Sequence, residues 1–123
     1  MLLIYYVKTM SKKIKWYYFR KGWATCTKAS EFLEANSIQI IEEISANKKL
    51  GKPEAESLLE RAVKIIIFKG RNTNHFDIKD EKKSSITPFM LGPTGNLRAP
   101  TIIYKNMIVV GFNEDKFNDI FSK

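Results

Sequence analysis

The first clear pattern along the chain is Ile14–Phe19, where apolar and aromatic residues crowd a short stretch. A run that short and that dense reads as a buried strand, and Arg20-Lys21-Gly22 breaks it. From Thr25 the spacing changes to a helical period, with Ala29, Phe32 and Leu33 on one face and a stop near Asn36. Thr25 is expected as the N-cap, because a threonine hydroxyl can accept an unpaired N–H of the first turn. Ile38–Ile44 returns to a partly alternating, strand-like pattern. A strand, a short helix and a strand make a βαβ unit, whose two strands run parallel.

The middle of the chain is more helical. After a turn around Asn47–Lys52, Pro53 stands where a helix begins, and Leu58, Leu59 and Ala62 line one side of it. Val63–Phe68 is β-branched and reads as a strand or a helix end; Gly70–Asn74 reads as a turn, with Phe76–Ile78 pairing back as a short strand. Ser84–Leu91 is expected as a short helix interrupted by Pro88, and Gly92-Pro93-Thr94-Gly95-Asn96 as a loop. Then Thr101–Tyr104 and Met107–Val110 flank Lys105-Asn106, a two-residue connection that predicts a tight antiparallel hairpin, with Asn106 tolerating positive φ. Asn113 is expected to cap a last helix that turns Phe117, Ile120 and Phe121 inward. The order βαβ, helical middle, ββ, α predicts an α/β domain with a central mixed four-stranded sheet flanked by helices.

Size and composition fit one such domain. The chain has 123 residues, 44% hydrophobic and 28% charged, without repeats or low-complexity stretches. Its apolar opening, Met1–Val7, is far too short to span a membrane and lacks the features of a signal peptide. Residues 1–9 are expected as a non-core extension, with Met10-Ser11-Lys12-Lys13 reading as a natural start and residues 10–123 as the domain. A single cysteine rules out an intramolecular disulfide and points to a reducing cytoplasm. The net charge of +8 leaves nucleic acid open as a partner. The cations are mostly scattered lysines, however, and no arginine–aromatic cluster is grouped to read bases. A lysine-rich solvated surface is the simpler reading.

Cys26 is the residue with most chemistry to offer. A place in the first helical turn exposes it to unpaired N–H groups and the positive end of the helix dipole, which favour the thiolate. Arg20, Lys21 and Lys28 push the same way. The competing reading is a buried, inert small residue. Pro100, just before the Thr101 strand, is a strand-edge proline whose peptide bond with Ala99 can be cis. His75, the sole histidine, has no companion ligand and reads as a surface or turn residue, so no metal site is expected. Glu42-Glu43 and Asp77, Asp80 and Glu81 read as solvated faces rather than acid–base pairs.

Trp23-Ala24-Thr25-Cys26-Thr27-Lys28-Ala29, followed by Phe32-Leu33 and Asn36, resembles the opening of helix 1 in the arsenate-reductase-like branch of the thioredoxin fold. There Cys-x-x-Cys-[Lys/Arg]-Lys-Ala stands at this place in many members, Spx-type regulators included. Leu91–Thr101 and Val110-Gly111-Phe112-Asn113-Glu114 are similar to ArsC-family (seleno)proteins, and the resemblance covers about residues 14–121. It implies a thioredoxin-like fold. Cys26 matches the second cysteine of the family's pair, and Trp23 stands in place of the first, the attacking nucleophile. An indole can neither attack nor resolve a disulfide, so self-contained dithiol turnover is not implied. Arg98 matches the arginine that helps bind the oxyanion in arsenate reductases, but with Trp23 at the nucleophile position arsenate reduction is not implied.

Two functions follow as expectations. One is a thiol–disulfide oxidoreductase lacking the first cysteine of the pair, in which Cys26 forms a mixed disulfide with glutathione, another small thiol or a protein partner. The other is a redox-inactive, Spx-type binding or regulatory module that uses the groove around Trp23, Thr25, Arg98, Pro100 and Thr101. Trp23 either plugs that groove as packing, the favoured expectation, or offers an aromatic platform.

Overall fold

The computed structural model describes residues 12–122; the expected extension at residues 1–9 lies outside them. The sequence-predicted first strand is present in two pieces, β1 (Lys13–Ile14) and β2 (Trp16–Phe19). Its expected partner is likewise divided into β3 (Gln39–Ile40) and β4 (Glu43–Ser45). β1 pairs parallel with β3, and β2 parallel with β4, as a βαβ crossover through helix α1 (Ala24–Ala35) requires. The break has a physical cause. Ile14 and Tyr17 both face one layer of the core although they are three residues apart, whereas Trp16 and Tyr18 face the other. Side chains on a strand alternate with period two, so one residue too many lies between Ile14 and Tyr17. Lys15 absorbs it, exposed, with its N–H donating to the Ile103 carbonyl at 2.8 Å.

The remaining elements are α2 (Lys52–Leu59), β5 (Lys64–Lys69), β6 (Asn72–Asp77), α3 (Lys83–Met90), β7 (Thr101–Tyr104), β8 (Met107–Val110) and α4 (Glu114–Phe121). The main sheet is mixed and has six strands, in the order β4-β2-β7-β8-β5-β6, not the four expected. The difference is the β5–β6 hairpin. Val63–Phe68 resolves to a strand parallel to β8, and β6 extends through Asn72–Asn74, which the sequence reads as turn. Those residues are polar because β6 is an edge strand, half-wetted and held mainly by its ladder with β5.

Two apolar layers cover the sheet. On one side α2 and α3 set Ala55, Leu58, Leu59, Ile86 and Met90 against Trp16, Tyr18, Ile65, Ile67, Ile103 and Ile108. On the other, α1 and α4 set Ala29, Leu33, Phe117 and Phe121 against Tyr17, Phe68, Ile102, Tyr104 and Val109. β7 and most of β8 are buried on both faces, which is why both strands read as unbroken apolar runs. Phe117 anchors the second layer within an aromatic cluster of Phe32, Phe68, Phe112 and Phe121.

Local signals mostly hold at the helix ends. The Asn113 side chain accepts the Lys116 N–H at 3.0 Å and caps α4. At α2 the Glu54 carboxylate accepts the Gly51 N–H at 2.7 Å, with Pro53 in the first turn. Two expectations fail. The N-cap of α1 is Trp23, with Thr25 inside the first turn, because the turn at Arg20–Trp23 hands the chain to the helix two residues early. In the β7–β8 hairpin the positive φ of 55° falls on Lys105 and not on Asn106. A tight hairpin needs a positive φ at its first central residue in both favoured turn types, and Lys105 occupies that position.

Candidate functional site

A groove of about 460 Å³ lies among the sequence-predicted residues. The start of α1, the loop after β4, the Gly92–Ala99 segment and the end of β8 surround it. Trp23, Thr25 and Arg98 line it. Cys26, Pro100 and Thr101 do not. The Ala99–Pro100 bond is cis, and Ala99, not the buried proline, lines the groove. Thr101 is fully buried, and its hydroxyl donates to the Arg98 carbonyl at 2.6 Å, so it shapes the backbone behind Arg98.

The short turn Arg20-Lys21-Gly22 organises the mouth. Gly22 takes φ +89°, and the Trp23 N–H reaches back to the Arg20 carbonyl at 3.3 Å. The turn folds the Arg20 guanidinium over the indole, 4.5 Å from the ring centroid, a cation–π arrangement. Trp23 nevertheless stays 50% exposed. With half its surface open to solvent it does not plug the groove, contrary to the favoured expectation of packing.

Arg98 occupies the floor. Its Nη2 donates to the Phe68 carbonyl at 3.1 Å, while Nη1 is shut away from solvent without a hydrogen-bond partner. Burial holds the guanidinium below its ordinary pKa, the direction expected when a cation loses water without gaining a counter-ion. Lys49 and Arg20 add two further cations to the lining, and none of the lining residues is acidic. Lys49, Phe68 and Gly111 are missed by sequence reading. Gly111 is named there only within the Val110–Glu114 block that carries the family resemblance. At φ +91° it lets β8 pass so close to β5 that a side chain there would meet the Phe68 carbonyl at 2.6 Å.

Cys26 is placed differently from what its helix position suggested. Its side chain is 2% exposed, and the sulfur accepts the Arg20 backbone N–H at 3.3 Å. Burial pushes the thiol above its ordinary value, and the Arg20 N–H and charge offset only part of that. Of the two readings, the buried, inert cysteine is therefore favoured over the thiolate, because desolvation outweighs the Arg20 N–H and charge. The residue belongs to the packing around Tyr17, whose hydroxyl lies 3.4 Å from the Cys26 carbonyl and 2.8 Å from the Ser30 hydroxyl. His75 is exposed on β6, and Glu42, Glu43, Asp77, Asp80 and Glu81 are exposed elsewhere along the chain or at the end of that strand. Among the described residues no group of three or more histidines, cysteines or carboxylates could hold a metal, and no helix is long and apolar enough to cross a membrane.

No protein-family model matches the chain, and no curated protein matches it at a significant level.

Proposed function

We propose that this chain is a thioredoxin-like, arsenate-reductase-related module of the reducing cytoplasm that acts by binding through the Trp23–Arg98 groove, with Cys26 in a structural role. The observation that carries this reading is the separation of the two features. The groove collects exposed aromatic surface and unpaired charge, whereas the Cys26 sulfur is buried outside it and hydrogen-bonded to Arg20. The thioredoxin-like part rests on the strand order β4-β2-β7-β8, with β2 parallel to β4 and antiparallel to β7, together with helices on both faces. A mixed disulfide between Cys26 and glutathione or a partner thiol is the weaker reading, since it calls for an accessible thiolate.

Two treatments test the proposal together. Wild type, Cys26→Ala and Trp23→Ala are used to capture partners from native extract, and wild type is incubated with oxidised glutathione and weighed intact. The reading requires that Cys26→Ala retain the wild-type partners, that Trp23→Ala lose them, and that no glutathione adduct form at neutral pH. A partner set that depends on Cys26, or rapid glutathionylation, overturns it.

A further inference from the structure

The groove carries information about its ligand. Its lining holds Arg20, Lys49 and Arg98 and no carboxylate. The Arg98 Nη1 is buried without an acceptor, although a guanidinium offers its N–H donors in a rigid fork suited to a planar or tetrahedral anion. The N-terminus of α1 opens at the same place. Trp23 provides no side-chain cap, no acidic residue occupies the first turn, and Trp23 and Thr25 both line the groove. Unpaired N–H groups there add to the positive potential.

An inorganic oxyanion would leave most of about 460 Å³ unfilled, and the volume lies in the range of small-molecule sites. The other distinctive feature is flat. The half-exposed Trp23 indole and the Arg20 guanidinium above it are both surfaces on which an aromatic ring stacks. We infer that the groove takes a small organic anion bearing a flat aromatic ring, with its charged group toward Arg98 and its ring against Trp23 and Arg20. This deepens the binding-module reading and rests on it.

Phenyl phosphate and adenosine monophosphate serve as ring-bearing anions, inorganic phosphate as the anion alone and adenosine as the ring alone. Each is titrated into the full chain and followed by calorimetry and ligand-observed NMR. At least one ring-bearing anion is expected to bind saturably, about tenfold or more tighter than both phosphate and adenosine. Trp23→Leu, at a half-exposed position, is expected to remove that advantage and leave phosphate binding unchanged. Arg98→Lys is expected to weaken the ring-bearing anions and phosphate alike. Phosphate or adenosine binding as tightly as the ring-bearing anions overturns the inference, and so does an indifferent Trp23→Leu or the absence of saturable binding by either ring-bearing probe. Loss of this inference alone leaves the Trp23-dependent partners in place, whereas loss of those partners removes the binding-module reading itself.

Discussion

Arg98 is tethered to the Phe68 carbonyl at 3.1 Å, and that carbonyl is also the atom a side chain at position 111 would strike. The groove floor is thus held by β5, a segment that the sequence pattern leaves open between strand and helix end. Because β5 pairs parallel with β8 up to Ile67 and Val110, Gly111 passes Phe68 directly after the last paired residue.

Gly111→Ala is therefore expected to be costly. The new Cβ would lie 2.6 Å from the Phe68 oxygen, and alanine would have to hold φ +91°. A loss of about 1–3 kcal/mol from the backbone conformation alone is expected, with the clash adding to it. Urea denaturation measures this. An unchanged midpoint would mean that β5 and β8 do not approach as described.

Tyr17→Phe removes the hydroxyl that links the central sheet to Ser30 of α1. At neutral pH the loss is expected at about 1 kcal/mol, the usual net worth of such a bond. Burial, partly offset by the Ser30 hydrogen bond, raises the Tyr17 pKa from 10.0 to about 12. Between those values the unfolded chain releases the proton and the folded chain keeps it, so the Tyr17 contribution to stability is intact below pH 10 and declines toward pH 12. The stability gap between wild type and Tyr17→Phe is expected to shrink across that window. Denaturation midpoints at neutral pH and near pH 11 give the comparison, and a gap that widens would contradict it.

Phe117→Ala tests the aromatic cluster beneath α1 and α4. The ring is fully buried against Phe32, Phe68, Phe112 and Phe121. Truncation is expected to cost about 3–5 kcal/mol, a large share of a small domain's margin of about 5–15 kcal/mol. Thermal unfolding reads the result. A shift no larger than that of a surface substitution would place the helix elsewhere.

Much of this architecture was legible where local chemistry and tertiary position agree. The β7–β8 hairpin announced itself through two apolar runs about a two-residue turn, and α4 through Asn113 and its inward phenylalanines. β6 was only partly legible: an edge strand buries little, so Asn72-Thr73-Asn74 carry no apolar period, and only the ladder with β5 makes them a strand. The split at Lys15 was hidden because both faces of that strand are buried, leaving no polar alternation to reveal a slipped register. At the site, Trp23, Thr25 and Arg98 could be named from sequence, but their separation from Cys26 could not. Helix-start position argued for a thiolate, and only the fold shows the cysteine buried outside the groove with its sulfur accepting the Arg20 N–H.

The central claim, that this module works through its groove and not through its thiol, is tested most directly by the rate of Cys26 alkylation against pH in the folded chain. With the sulfur 2% exposed and its pKa raised by burial, slow modification at neutral pH is expected, with a midpoint above the free-thiol value of about 8.5. Rapid alkylation at neutral pH, with a midpoint below that value, would contradict the claim and return Cys26 to the role of nucleophile.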